Sequence, residues 1–174
     1  MCAGQGPKCP KAGRRGAGAP TLFPVPGLSG RVLVVDDNKV IRQLIRVNLE
    51  LEGFEVVTAA DGAECLEAVH RVRPDVVTLD IVMPRLDGLR TAARLRADPR
   101  TRGLPIAVVS GCSELEAEAG RAAGVDAFVA KPFEPVDLVR VVRRLAARRA
   151  SQRVGESVAG DAADDAEPAG SPVC

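Results

Sequence analysis

Five residues capable of polar chemistry stand behind apolar runs. Asp36 and Asp37 follow residues 32–35, Asp80 follows 75–79, Ser110 follows 106–109, and Lys131, with Pro132 behind it, comes after 127–129. Three carboxylates brought together repel one another unless a cation lies between them. An all-oxygen ligand set of that charge suits Mg²⁺, which uses one or two carboxylates, keeps several waters and completes its shell with phosphate. A lysine ammonium is a compact point charge suited to a phosphoryl oxygen, and a serine hydroxyl adds a neutral donor. One carboxylate left over as a nucleophile completes the parts for phosphoryl transfer through an aspartyl-phosphate. A plainer account exists for each residue alone: loops after strands are polar, and aspartate is a preferred helix cap. It does not explain why the pattern recurs at four apolar runs.

The runs themselves define the scaffold. Val32-Leu33-Val34-Val35 is bounded by Gly30 and Asp36, and continuous apolar runs of this length read as strands buried on both faces. Similar runs occupy 54–58, 75–79, 106–109 and 127–129. Helical periodicity fills the intervals. One helix carries Val40, Ile41, Leu44, Ile45, Val47 and Leu49 and closes at Gly53; a second, capped by Asp61, carries Cys65, Leu66 and Val69. Further helices are predicted over 88–96, 113–123 and 136–149. Strict strand–helix alternation implies an α/β fold, a doubly wound five-stranded parallel sheet. In such a sheet ligands bind outside the carboxyl ends of the strands, where the five polar residues fall.

The flanks have another character. Residues 1–30 hold seven Gly, five Pro, four basic residues and no acid, and residues 151–174 set Arg153 against five acids. The Gly and Pro density of the first resists a packed core and the second has too few large apolar side chains, so both are expected to be disordered tails around a domain at 31–150. The 174-residue chain has a formal charge of +1, which offers no general attraction to nucleic acid or anionic lipid. No apolar stretch reaches the roughly 20 residues of a membrane span, and membrane insertion is not expected. Cys2, Cys9, Cys65, Cys112 and Cys174 are scattered without a C-x-x-C pair, which fits neither a disulfide framework nor a zinc site and points to the reducing cytoplasm.

The motifs RVLVVDDNKVIR at 31–42, PDVVTLDIVMPRLDGL at 74–89, AVVSG at 107–111 and DAFVAKPF at 126–133 carry a resemblance. Residues 31–149 resemble the CheY-like receiver domain of two-component response regulators, which implies a (βα)5 flavodoxin-like fold. The resemblance implies that Asp80 is the phosphoacceptor. It places Asp36 and Asp37 at a Mg²⁺ ion, Asp37 directly and Asp36 through water, with Val82 adding its backbone carbonyl. It makes Ser110 the switch hydroxyl, Lys131 the phosphate-pairing lysine in a cis bond to Pro132, and Phe128 the aromatic switch residue. Phe128 stands where tyrosine is frequent, so it has no phenol hydroxyl. The positions that orient hydrolytic water in short-lived family members are Val82 and Cys112 here; neither is a good hydrogen-bonding group, so slow loss of phosphate is expected.

The expected function is a single-domain response regulator. It would take a phosphoryl group from a sensor histidine kinase or phosphotransfer protein and signal to a downstream protein. It would assist its own phosphorylation and dephosphorylation without being a separate enzyme. Direct DNA binding is not expected, because little chain follows Arg149 and that part is acidic. Two alternatives stand beside this. The 74–89 text is also similar to the receiver half of chemotaxis methylesterases, although no G-x-S-x-G and no histidine besides His70 is present. The domain could also act as a binding module that is never phosphorylated. His70 reads as a surface residue, Cys65 as core, and the arginines of the last helix as its solvated face.

Overall fold

The computed structural model describes residues 30–111 and 114–160. In chain order the elements are β1 (Arg31–Val35), α1 (Lys39–Leu51), β2 (Glu55–Ala59), α2 (Gly62–Val72), β3 (Val76–Leu79), α3 (Gly88–Ala97), β4 (Ile106–Ser110), α4 (Glu114–Ala122), β5 (Ala127–Ala130) and α5 (Pro135–Gly160). The strands form one parallel sheet in the order β2-β1-β3-β4-β5.

Strand side chains alternate between faces, and both faces are covered. Leu33, Val35, Val77, Leu79, Ile106 and Val108 pack with Cys65 and Val69 of α2 and Leu95 of α3. Val32, Val34, Val76 and Val109 pack on the other face with Ile45 and Leu49 of α1 and Leu138, Val142 and Leu145 of α5. Because the inner strands β1, β3 and β4 are sandwiched, residues on both of their faces are apolar, which is why these runs show no polar alternation. Thr78 is the exception: it is buried in β3 opposite Val34 and Ala107, and its hydroxyl has no hydrogen-bond partner.

Helix starts follow the local chemistry. Asn38 caps α1 by accepting from Val40 N and Ile41 N, Asp61 caps α2 through Ala63 N and Glu64 N, and Asp87 caps α3 through Arg90 N. The asparagine therefore does what Asp36 or Asp37 could have done, and both aspartates are left for other work.

Two expectations need correction or restriction. The last helix does not stop at 149 but continues to Gly160, taking in the first ten residues of the expected 151–174 tail. Extending a packed helix needs no new nucleus, and the Ala-Arg run at 146–150 has high helix propensity. Within the extension, Arg153 pairs with Asp75 at 2.7 Å. The remainder of both expected tails, 1–29 and 161–174, lies outside the described residues, as do Cys112 and Ser113.

Candidate functional site

The chain runs from β1 to β2 on one side and returns to β3 on the other, so the strand order reverses at β1. The crevice at such a switch point is where open α/β sheets bind ligands. The register pairs Val35 with Leu79, which sets the next residues, Asp36 and Asp80, side by side. The backbone continues the alignment, Asp80 N donating to Val35 O at 2.9 Å. On the far side Lys131 N donates to Ser110 O at 2.8 Å, tying the end of β5 to the end of β4.

Asp36, Asp37 and Asp80 each offer a carboxylate oxygen, and these oxygens all lie within 4.8 Å of one another. Asp36 and Asp80 are buried, whereas Asp37 is exposed. Asp36 Oδ1 accepts from Asn38 N at 2.8 Å, and its carbonyl accepts from the Arg42 guanidinium. Asp80 Oδ1 accepts from Ile81 N at 2.8 Å. The other oxygens of both residues face Lys131, whose Nζ lies 2.8 Å from Asp36 Oδ2 and 3.1 Å from Asp80 Oδ2. The Lys131-Pro132 peptide is cis.

Electrostatics follow from this crowding. Burial pushes the Asp80 carboxyl above its ordinary value; Lys131 opposes the rise and the charge of Asp36 adds to it. Burial acts to lower the Lys131 ammonium, but hydrogen bonds and attraction from Asp36 and Asp80 outweigh it and hold the group above its usual range. The contrast is physical: Lys131 faces two anions, whereas Asp80 faces one cation and one anion.

The loop from β3 to α3 is anchored by Ile81, Met83 and Leu86, all buried, and Gly88 N donates to Ile81 O at 2.9 Å. Gly88 is required here, since a Cβ would lie 2.0 Å from Asp80 O. Val82, on this loop, has a 70% exposed side chain. Ser110 is buried at the end of β4. Phe128 is half-buried with its ring against Gly120 of α4, where a Cβ would come within 2.3 Å of Cζ. The structure therefore brings Asp36, Asp37, Asp80 and Lys131 into one cluster, with Ser110 and Phe128 on the adjoining strands.

Other singled-out residues lie elsewhere. His70 is exposed on α2, 3.2 Å from Asp98. Cys65 is buried in the core, where burial pushes its thiol up to about 12. Sequence reasoning missed Arg42 on the Asp36 carbonyl, a contact that a helix-interior arginine does not advertise. It also missed an ion pair between Asp61 and Arg85, which are 24 residues apart.

A doubly wound α/β domain with an acidic cluster and a lysine at its switch point defines the class. The family model of the response regulator receiver domain matches residues 32–143. The chain belongs to that family. It is 43% identical over 122 residues to the transcriptional regulatory protein PrrA of Mycobacterium tuberculosis, covering 70% of this chain and 52% of PrrA. It is 41% identical over 119 residues to the response regulator MprA of Mycobacterium leprae, covering 68% and 51% respectively. The chain thus spans about half the length of the curated relatives it matches. Among solved structures, the Vibrio cholerae chemotaxis protein CheY4 is 33% identical with a TM-score of 0.65, over 67% of this chain and 98% of that one. A response regulator from Chloroflexus aurantiacus is 33% identical with a TM-score of 0.66, over 68% and 98%. The expectation of no direct DNA binding finds no support here, since PrrA is named as a transcriptional regulator.

Receiver domains of this family bind Mg²⁺ at an acidic pocket, and the residues present fit that ion. Their donors are oxygens only, one of the three carboxylates is open to solvent, and their spacing permits shared coordination. No helix among the described residues is long and apolar enough to cross a membrane.

Proposed function

We propose that the chain is a phosphoacceptor of a two-component system, taking a phosphoryl group onto Asp80 from a sensor histidine kinase or phosphotransfer protein. The observation that carries this is the Lys131 ammonium held between Asp36 and Asp80. Asp80 Oδ2 is the nucleophile. Its bond to phosphorus forms as the phosphorus–nitrogen bond of the donor's phosphohistidine breaks, and the departing nitrogen keeps the bond pair, the ring leaving as neutral imidazole with any proton it needs drawn from solvent. Asp36, Asp37, Asp80 and the Val82 carbonyl would hold Mg²⁺, and the ion would supply charge neutralisation for the incoming phosphoryl oxygens. Lys131 turns from the Asp80 oxygen to a phosphoryl oxygen, the Ser110 hydroxyl donates to another, and Phe128 follows Ser110. The altered face of β4, α4 and β5 then meets a downstream protein. The setting is the cytoplasm, and no separate catalytic domain takes part in this chemistry.

The output has a second reading. Relatives named as transcriptional regulatory proteins, matched over about half their length, favour control of transcription as the final effect.

The test is labelling with acetyl phosphate or phosphoramidate, with and without Mg²⁺, on the chain and on Asp80→Asn. Mg²⁺-dependent labelling lost in Asp80→Asn supports the assignment. Stoichiometric labelling that survives in Asp80→Asn refutes the site, and no labelling of the wild type leaves the unphosphorylated binding module as the correct reading. Capture of partners with Mg²⁺ and beryllofluoride then separates a protein target from DNA.

A further inference from the structure

The loop carrying Val82 is tied to a second loop by residues outside the acidic cluster. Arg85 holds a left-handed backbone, φ 64°, a conformation that disfavours any residue with a Cβ. Its guanidinium pairs with Asp61 across 24 residues of sequence. Asp61 is almost wholly buried, with its side chain 2% exposed, while Arg85 lies at the surface. The other Asp61 oxygen is already committed to capping α2, accepting from Ala63 N at 2.8 Å and Glu64 N at 3.0 Å. A second link runs parallel: Gly62 N donates to Leu86 O at 3.3 Å. At Gly62 a Cβ would lie 2.7 Å from Leu86 O and 1.9 Å from Thr91 Oγ1, so the loops are in close backbone contact. Both links land on 85–86, in the second half of the segment 81–87 between Asp80 and α3.

We infer that the Asp61–Arg85 ion pair is a positioning device for the metal site: by fixing the second half of the β3–α3 loop to the start of α2, it presets the Val82 carbonyl for the ion. This rests on the metal site of the proposed function. Arg85 touches neither the ion nor the phosphoryl group, so it acts only through the loop. The unfavourable φ gives the pair its purpose. Glycine would fit the backbone at 85 better, but it could not reach Asp61.

The sign of the effect separates positioning from simple charge. Taking a positive charge away from the surroundings of an acidic metal site should, by Coulomb attraction alone, tighten Mg²⁺ binding. Losing the tie should weaken it, by about tenfold if it resembles other groups that orient metal ligands. The experiment is Mg²⁺ titration by calorimetry and by NMR of the chain and of Arg85→Gly, Arg85→Lys and Asp61→Asn, with urea unfolding alongside. Asp61→Asn preserves a capping side chain and removes the charge. The expected result is weaker Mg²⁺ binding in Arg85→Gly and Asp61→Asn, partial recovery in Arg85→Lys, and a lower unfolding midpoint in Arg85→Gly, because buried Asp61 loses its partner, with the variant still folded where Mg²⁺ is titrated. Wild-type or tighter Mg²⁺ binding in Arg85→Gly overturns the inference and leaves the metal site intact. A wild type that binds no Mg²⁺ overturns the metal-site reading and this inference together. If Arg85→Gly does not fold, Asp61→Asn with unchanged affinity overturns it equally.

Discussion

Replacing Lys131 with alanine should convert the centre of the site from a paired cluster into an unscreened one. At an effective dielectric constant of about 20, charges about 3 Å apart attract by about 5 kcal/mol, and carboxylates no more than 4.8 Å apart repel by at least about 3 kcal/mol. Desolvation and entering water cancel much of that gross value. Removing one member of a buried pair costs about 3–5 kcal/mol, and Lys131, with its side chain 23% exposed, belongs at the lower end. A loss of about 3 kcal/mol near pH 8 without Mg²⁺ is expected. The deficit should then depend on pH. Without the lysine, Asp80, already raised by burial and by Asp36, rises further. A folded state that holds a proton more tightly than the unfolded chain loses stability as pH rises through the folded value and regains it on acidification. The deficit should therefore shrink between pH 8 and a more acidic pH, as Asp80 becomes protonated in the variant. Mg²⁺ should shrink it as well, because the ion stabilises both folded forms and the variant, binding it more tightly, gains more. Binding of the ion itself should persist and tighten, since a competing cation has gone. Urea unfolding followed by far-UV circular dichroism is the assay, because the chain has no Trp and no Tyr. A deficit equal at both pH values, and unmoved by Mg²⁺, would refute the electrostatic reasoning.

Thr78→Val removes a buried hydroxyl without a partner and keeps the β-branched shape, so urea midpoints should show a gain of about 1 kcal/mol; a loss would mean that the hydroxyl has a bonding role. Gly88→Ala places a Cβ 2.0 Å from Asp80 O, and because backbone cannot step aside the expected cost is about 2 kcal/mol or more, with slower labelling by acetyl phosphate. Unchanged labelling and stability would show that the loop is looser than this packing implies. Phosphate loss from the labelled chain should be slow, and Val82→Asn with Cys112→Glu should speed it by supplying hydrogen-bonding groups for the attacking water. Release within seconds from the wild type, with no gain in the double variant, would contradict this.

The apolar runs and the residues behind them made the architecture legible before any coordinates. A parallel sheet buried on both faces admits only apolar strands, so its five runs stand out, and its ligand edge must lie where they end. Asp36, Asp80, Ser110 and Lys131 could be placed on one edge for that reason alone; their roles came from motif resemblance. The sequence also contained the Asn38 cap, although two neighbouring aspartates competed for it.

Pairings across space were decided by the tertiary structure. That Lys131 bridges Asp36 and Asp80 depends on strand order and register, because β5 lies two strands from β3 in the sheet and 95 residues of sequence separate Lys131 from Asp36. The tie between Asp61 and Arg85 has no local signature, since each residue has its own sufficient local explanation as a cap or a turn. The extent of α5 also eluded composition. Residues 151–160 read as too poor in apolar side chains to fold alone, but they continue a helix already nucleated and packed upstream. Local chemistry specifies elements and their ends because it acts within a few residues. Contacts between distant side chains form only once the packed sheet and helices have set the distances between them.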